Sequence, residues 1–313
     1  MHLPIQKDVP LAPRTIFRIG GVARFFIEAK TREDFLNSIL WARQYALPFF
    51  ILGAGSNVLV SEKGFHGLVV KPAFSKIDFL GNMMTAEAGA MIPKASLLAM
   101  KEGLSGFEWA SGIPGTIGGS VRGNAGCFGS NTGDLLESLE AYDSISGSIR
   151  KFSNRDCGFS YRESMFKKHP ELAILSATFS LQSSSPSDVQ KRMVSYSAKR
   201  VETQAIGAQC AGCVFKNVPW DSMSFLKRQR ILNSVPELHP FKNQEHIPVA
   251  LLLDTLGLKG YSIGRAMISK KHANFFINKG SASSHEVSML ISHCKEFVHR
   301  KTGILLQEEI QFV

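Results

Sequence analysis

Long apolar runs are missing from this sequence. The apolar stretches that it does contain, such as Pro248–Leu253, which ends at Asp254, are too short to cross a bilayer. The N-terminal stretch MHLPIQKDVPLAPRT lacks the apolar segment of a secretory signal. We therefore expect a cytoplasmic protein that has no membrane partner.

Cysteine is scarce, and its odd number and irregular spacing are not those of a disulfide framework. A reducing compartment fits this usage best. A single CxxC without a second one also argues against zinc, so we expect no metal site. The five cysteines are Cys127, Cys157, Cys210, Cys213 and Cys294.

A clustered basic surface of the kind that binds nucleic acid is missing too. The net charge is +10, but Lys and Arg are scattered, and the tightest cluster is Lys227, Arg228 and Arg230. Three interpretations stay open, namely solubility, attraction of an anionic small molecule, and nucleic-acid binding. Solubility is the simplest of them, and we expect no nucleic-acid partner.

What is present is the composition and patterning of a folded protein. The chain is 44% hydrophobic and 20% charged, and its 313 residues suit two or three compact domains. The segment T-R-E-D that begins at Thr31 resembles a capping box and predicts a helix to about Ala46. The SSSPSD segment predicts a boundary within residues 183–206. A late amphipathic helix is expected to start at a Ser284 cap and to end at Gly303, before a closing strand over 304–313.

Two glycine-rich loops are the main functional signal. Gly53–Asn57 follows an apolar strand, but Val58 stands where a Rossmann fingerprint has its third glycine, and a strand rather than a helix follows. Such a loop can still bind a pyrophosphate through its backbone N–H groups, or it can be an ordinary hairpin loop. The second loop, over 112–126, contains Pro114 and glycines that let the backbone approach a flat ligand or its phosphates. Two such loops can enclose a dinucleotide.

Six stretches occur in order along the chain: GAGSNVLV, GFEWASGIPGTIGGSVRGNAGCFG, FSYRESMFK, AGCVFKN, LGLKGYSIGRAMISKKHANFFIN and TGILLQEEI. Together they resemble the UDP-N-acetylenolpyruvoylglucosamine reductase family, the flavin enzymes of bacterial peptidoglycan precursor synthesis. The early TIFRIGGVARFF is similar as well, so the resemblance covers nearly the whole chain.

The resemblance implies an α+β fold, made of a two-subdomain FAD-binding fold of the vanillyl-alcohol-oxidase type and a C-terminal α+β substrate domain. We expect FAD-binding subdomain 1 at 1–75, with the C-terminal strand 304–313 as a candidate addition. Subdomain 2 is expected at 76–195 and the substrate domain at 206–303.

The resemblance also implies a reaction. FAD takes a hydride from NADPH and passes it to the enolpyruvyl group of UDP-N-acetylglucosamine enolpyruvate, which gives UDP-N-acetylmuramate. The partner is then a small anionic UDP-sugar, and we expect a monomer. The alternative is another FAD-dependent oxidoreductase on the same scaffold.

We expect the two loops to hold FAD. The expected cofactor-binding residues are Gly53, Ala54, Gly55, Ser56, Asn57, Ile113, Pro114, Gly115, Thr116, Gly118, Gly119, Asn124, Ala125 and Gly126.

Three residues match catalytic positions of the family. Cys213 in AGCVFKN is the expected proton donor, since a free thiol is mostly protonated near neutral pH. Its alternatives are a buried small side chain and a redox pair with Cys210. Arg162 in YRES is expected to bind a carboxylate through its guanidinium fork. Glu309 matches the acidic position of the last motif, and period-2 alternation places the neighbouring Glu308 among the apolar residues.

The remaining expectations concern the substrate. Its binding residues are expected to be Tyr161, Lys216, Asn217, Lys259 and Arg265. Pro219–Glu245 separates VFKN from the next helix by more than in the shorter members of the family, and we interpret it as a helical insertion that borders the substrate cleft. No candidate for the tyrosine-bearing loop that closes over substrate is found, which indicates the class of reductases that lacks it.

Overall fold

The computed structural model describes residues 3–313, which divide into two compact units. Unit 1 contains the residues up to Val9, Ala23–Ala54 and Phe65–Glu202. Unit 2 contains Pro10–Val22, Gly55–Gly64 and Thr203–Val313. The predicted boundaries at 1–75, 76–195 and 206–303 stay a prediction.

The strands of the described residues are numbered in chain order. They are β1 (Gln6–Pro10), β2 (Val22–Ala29), β3 (Phe49–Ile51), β4 (Val58–Leu59), β5 (Phe65–Pro72), β6 (Ile77–Leu80), β7 (Met83–Glu87), β8 (Leu104–Ser105), β9 (Gly126–Cys127), β10 (Ser130–Asn131), β11 (Leu136–Asp143), β12 (Ser148–Ser153), β13 (Leu172–Ser180), β14 (Gln182–Ser183), β15 (Val218–Pro219), β16 (His246–Ile247), β17 (Ser262–Ile263), β18 (Ala266–Ile268), β19 (Phe276–Asn278) and β20 (Gln311–Phe312).

The α-helices are α1 (Arg32–Gln44), α2 (Ile92–Lys101), α3 (Ile117–Gly123), α4 (Pro186–Thr203), α5 (Phe225–Ser234), α6 (Val249–Thr255) and α7 (Ser284–Thr302).

The first sheet of unit 1 has the strand order β1-β2-β5-β3, with β5 parallel to both β2 and β3. A parallel pair needs a crossover, and α1 lies in the connection from β2 to β3. The predicted capping box at Thr31 is confirmed, because the Asp34 N–H donates to Thr31 Oγ1 (3.0 Å) and the Asp34 carboxylate accepts from the Thr31 N–H.

The second sheet of unit 1 is antiparallel, in the order β12-β11-β13-β7-β6. Its central strand β13 is buried along most of its length, and α3 packs against it. The core of this unit also contains the largest fully buried side chain, Trp109. The second glycine loop leads into α3, and the first residue of this helix, Ile117, is buried in the same core.

Unit 2 is built on short strands and three helices around its own core. Its strands form the sheet β17-β18-β19 and the two-stranded pairs β15-β16 and β20-β4. The core takes Phe17, Ile19 and Leu59 from the early part of the chain and the apolar face of α7 from the late part. Residues that are far apart in sequence therefore complete one core.

Several sequence predictions need correction. The glycine-rich stretch contains a helix, α3, which was not expected because glycine disfavours helices. The cap of α7 is Ser283 rather than Ser284, since the Glu286 N–H donates to Ser283 Oγ (3.0 Å). The closing strand expected over 304–313 is reduced to β20. The helix expected within Pro219–Glu245 is confirmed by α5, and its interpretation as an insertion that borders the substrate cleft stays a prediction.

Candidate active site

The second glycine loop is fixed to the core of unit 1 at the start of α3. Thr116 caps the helix, because its Oγ1 accepts a hydrogen bond from the Gly119 N–H (3.3 Å). The Ile117 and Gly118 N–H groups donate to the carbonyls of Ala90 (2.8 Å) and Ala88 (2.9 Å). These three N–H groups are thus used within the protein, so the helix start serves to hold the loop.

The two glycine loops touch at Gly53. A β-carbon at this position would lie 2.7 Å from Thr116 Oγ1, the atom that caps α3. Any side chain there would displace the cap, so glycine is required for packing.

The later part of the first loop, from Gly55 onward, belongs to unit 2. Gly55 has a φ of +65°, and a β-carbon would lie 2.5 Å from the Arg14 carbonyl oxygen. Asn57 Nδ2 donates to the Glu309 carbonyl (3.2 Å), and the Asn57 carbonyl accepts from the Gln311 N–H (3.0 Å). Asn57, predicted to bind cofactor, is therefore also the residue that anchors the segment carrying Glu309.

The end of the second loop is held by Asn124, which is buried and ends α3 with a φ of 41°. Its Nδ2 donates to the Ser160 carbonyl (2.9 Å), and its Oδ1 accepts from the Gly133 N–H (2.9 Å). Asparagine tolerates the left-handed conformation better than most residues. Asn124 thus connects the loop to the segment that carries Arg162.

Arg162 lies against the end of this loop. Its Nη2 donates to the Gly126 carbonyl (2.8 Å), and its guanidinium carbon lies 5.3 Å from the centre of the Tyr161 ring. The φ of Arg162 is +57°, which is uncommon for a residue with a β-carbon. The Lys167 ammonium donates to the Arg162 carbonyl, which helps to fix this backbone. The structure thus brings predicted catalytic and cofactor residues together in unit 1.

Sequence reasoning missed the contribution of α4. Tyr196 stacks on Phe128 with the ring centres 5.1 Å apart, and the Arg200 guanidinium carbon lies 5.4 Å from the Phe128 ring centre. Arg200 is buried, and its Nη2 donates to the Trp109 carbonyl (3.2 Å). Phe128 has a φ of +55° and lies in the hairpin that continues the second loop. The sequence carries no clear signal for this contribution, because only the structure shows that Arg200 is buried on this mostly polar helix.

The other two predicted catalytic residues are neighbours in unit 2. The Glu309 N–H donates to the Val214 carbonyl (2.7 Å), directly after Cys213, and Phe215 and Glu308 form a β-bridge. The buried Asn274 holds this segment from the other side, since its side-chain amide pairs with the backbone of Phe215. Cys213 and Glu309 therefore lie on adjacent short segments, although they are far apart along the chain.

Two observations concern the alternatives, namely Glu308 in place of Glu309 and a redox pair of Cys210 with Cys213. Glu308 forms an ion pair with Lys295 of α7 (2.8 Å), so its carboxylate already has a cationic partner. Cys210 and Cys213 are not joined in a disulfide. Burial raises the pKa of Cys210, which disfavours the thiolate that disulfide exchange needs.

The predicted substrate residues of unit 2 have mixed surroundings. Asn217 Oδ1 accepts from the Val249 N–H at the start of α6 (3.1 Å), and Lys259 forms an ion pair with Asp254 (2.5 Å). Arg265 is exposed in the β17–β18 turn.

Burial, with a further contribution from Lys259, lowers the pKa of His272, so this imidazole is neutral near neutral pH.

The surface of α3 fits a large flat cofactor. Gly119 and Gly123 are four positions apart and so share one face of the helix. A β-carbon at Gly123 would meet no atom within 4 Å, and one at Gly119 would meet only the Thr116 hydroxyl. This bare strip leaves the helix backbone open to close approach, as a flavin nucleotide requires.

Comparison with known proteins agrees with this assignment. A family profile described as "FAD binding domain" matches residues 23–153. Together with the mixed sheets and helices, it defines the chain as an FAD-binding α+β flavoprotein, and the predicted fold class and flavin cofactor are confirmed.

The relatives identify the family. A profile described as "UDP-N-acetylenolpyruvoylglucosamine reductase, C-terminal domain" matches residues 204–313. A reductase of that name from Caldanaerobacter subterraneus is 36% identical over 99% of this chain and 93% of its own length. Another, from Clostridioides difficile, is 30% identical over 99% and 93%. The chain belongs to the UDP-N-acetylenolpyruvoylglucosamine reductase family.

A solved structure supports the same conclusion. The crystal structure of UDP-N-acetylenolpyruvylglucosamine reductase from Thermus caldophilus matches with a TM-score of 0.77 and 27% identity, over 99% of each chain. Within residues 3–313, no helix combines the length and apolar character needed to span a bilayer.

Proposed function

We propose that this protein reduces the enolpyruvyl group of UDP-N-acetylglucosamine enolpyruvate to give UDP-N-acetylmuramate, with NADPH as hydride donor. The observation that carries the proposal is family membership over almost the full length of the chain. We assign the proton donor to Cys213, whose neighbour Val214 accepts a backbone hydrogen bond from the Glu309 N–H. We further propose that the protein acts as a cytoplasmic monomer on a small anionic UDP-sugar.

FAD held by the two glycine loops would supply the hydride. One alkene carbon of the substrate receives it, and the other must receive a proton. We assign this proton to the Cys213 thiol, which becomes a thiolate as the new C–H bond forms. We propose that Glu309, on the segment that pairs with residue 214, exchanges a proton with the substrate carboxyl group.

Arg162 supplies positive charge. We assign its guanidinium to the substrate carboxylate, where it stabilises the negative charge that develops during the reaction. The hydrogen bond to the Gly126 carbonyl and the fixed backbone at φ +57° hold the side chain in advance, which lowers the cost of ordering it. Lys216, Asn217, Lys259, Arg265 and Tyr161 are proposed to bind the rest of the substrate.

The proton-donor assignment is tested by single-turnover kinetics. We expect Cys213→Ala to be reduced by NADPH at the wild-type rate, while flavin reoxidation by the substrate falls by roughly 10²-fold or more. Cys213→Ser, which keeps a hydroxyl proton, should retain substantial reoxidation. Stopped-flow absorbance of the flavin follows both half-reactions separately.

Cys210→Ala is the matched control, because it removes the other thiol of the CxxC and leaves the proposed donor. It should reoxidise normally. Loss of reoxidation in Cys210→Ala would support the redox pair instead, and normal reoxidation of Cys213→Ala would show that another group donates the proton. A purified protein that is colourless and cannot be reconstituted with FAD would refute the function as a whole.

A further inference from the structure

The first turn of α5 exposes two large apolar side chains. Phe225 and Leu226 are 72% and 70% exposed, whereas Ile231 and Leu232 of the same helix are buried in the core of unit 2. The N-cap Ser224 fixes this turn, because its Oγ accepts from the Lys227 N–H (3.3 Å). The helix is thus anchored by its later turns and presents an apolar tip to the solvent.

Basic side chains surround this tip. The helix sequence FLKRQRILNS contains Lys227, Arg228 and Arg230 and no acidic residue. The last turn of α7, which packs against α5, contains His299, Arg300 and Lys301 and again no acidic residue.

The basic residues of α5 and those in the last turn of α7 form one surface. The Lys227 Cε atom lies 3.9 Å from the position that a β-carbon on Gly303 would take, directly after α7. Leu305, two residues further on, is 70% exposed. We call Phe225, Leu226, Leu305, Lys227, Arg230, Arg300 and Lys301 the α5 surface.

Acidic residues near this surface do not cancel its charge. Asp221 and Glu237 flank α5 in sequence, and Glu296 lies on α7. They oppose the four cations of the α5 surface and Arg228 beside them, so the region stays positive in a chain whose net charge is +10.

We propose that the α5 surface binds the anionic surface of a lipid bilayer. Isolated apolar side chains that project from a cationic face suit the bilayer interface, where the apolar groups enter the headgroup region and the cations meet lipid phosphates. A protein partner would need a pocket to receive the tip, and nucleic acid would use the cations and leave the apolar side chains exposed.

Adsorption to a membrane surface does not require a helix that spans the bilayer. The absence of a spanning helix within residues 3–313 concerns insertion across the bilayer. The sequence-based expectation of no membrane partner rested on the same criterion, which does not address a protein that lies on the surface.

The test uses the FAD-loaded full-length protein and two kinds of vesicle, one zwitterionic and one containing phosphatidylglycerol. Wild-type protein should co-sediment with the anionic vesicles only, and less at high salt. Phe225→Ser/Leu226→Ser should weaken the partition by about tenfold or more. Lys227→Gln/Arg230→Gln should weaken it by about fivefold for each cation removed.

Matched controls come from unit 1. Leu80 is 84% exposed, so Leu80→Ser removes an equally accessible apolar side chain. Lys94→Gln/Lys101→Gln removes two exposed cations from α2. Both controls should bind vesicles like the wild type, and all variants should keep the wild-type flavin spectrum, which shows that they are folded.

Three results would overturn the proposal. These are no binding of wild-type protein to anionic vesicles, equal losses in the control variants, and binding that depends on Lys227 and Arg230 but not on Phe225 and Leu226. The last result would identify a polyanion surface, which retention on single-stranded RNA under the same salt would then show.

Discussion

Burial raises the pKa of the thiols of Cys127, Cys157, Cys210 and Cys294. At Cys127, the nearby Arg200 and Arg162 oppose this effect without reversing it. A raised pKa keeps these groups protonated and unreactive near neutral pH. The sequence alone shows five similar thiols, whereas in the structure Cys157, Cys210 and Cys294 are buried and Cys127 and Cys213 are half-buried.

Cys294 provides a stability prediction. Burial raises its pKa to about 12, whereas the unfolded thiol titrates near its ordinary value. The folded state therefore holds the proton more tightly, and its advantage is fully present below the ordinary thiol pKa and is lost as pH rises toward about 12. The stability difference between wild type and Cys294→Ala should shrink by about 1.4 kcal/mol per pH unit across that range.

Urea unfolding measured at about pH 8 and about pH 10 checks this slope. Ser292→Ala, an exposed change on the same helix, is the control, and its effect should not depend on pH. A Cys294→Ala difference that stays constant between the two pH values would contradict the prediction.

At the scale of elements, α4 is the part of unit 1 that we expect to preorganise the cofactor loop. Tyr196 and Arg200 hold Phe128 in its left-handed conformation, next to Gly126. Arg200→Met keeps much of the side-chain length and removes the charge, and Tyr196→Ala removes the stack. Each variant should raise the dissociation constant for FAD by about five- to tenfold, which corresponds to about 1 to 1.4 kcal/mol.

Flavin fluorescence titration measures this affinity, and thermal unfolding of the FAD-free protein measures general damage. Val194→Ala, an exposed change on α4, should alter neither quantity. If the FAD-free variants were destabilised while their FAD affinity stayed at the wild-type value, the role of α4 would be structural only.

The helices also show which features could be predicted from the sequence and which could not. The α1 capping box was predicted because both partners, Thr31 and Asp34, are three residues apart. At α7 two consecutive serines compete, and only the structure shows that Ser283 is the cap. The helix α3 was missed because its stability comes from contacts with Ala88 and Ala90, which local propensity does not contain.

The same limit applies to the candidate site. Motif order selected Arg162, Cys213 and Glu309, and these assignments stay predictions. The pairing of Glu309 with Val214, and the anchoring of its segment by Asn57, join residues that no local pattern connects. Alternation places Glu308 among the apolar residues Leu306 and Ile310, and it does not predict the ion pair that Glu308 forms with Lys295.

For the whole molecule, the main feature is that the chain passes between the two units repeatedly. Pro10–Val22 and Gly55–Gly64 belong to unit 2, although the residues around them belong to unit 1. Phe17 and Leu59 from these segments are fully or almost fully buried in the core of unit 2, and β4 pairs with β20. A domain cut from the C-terminal part of the chain therefore lacks part of its core.

We accordingly expect the fragment 203–313 not to fold alone. Phe17, Ile19 and Leu59 would be missing from its core, and each such side chain contributes about 1.5 to 3 kcal/mol when buried. A loss of this size is comparable with the whole stability of a small domain. The fragment should show little dispersion in an amide NMR spectrum and no cooperative thermal transition. Because the predicted substrate domain at 206–303 is contiguous, a fragment that folds cooperatively would favour that division, and an unfolded fragment would favour the interleaved units.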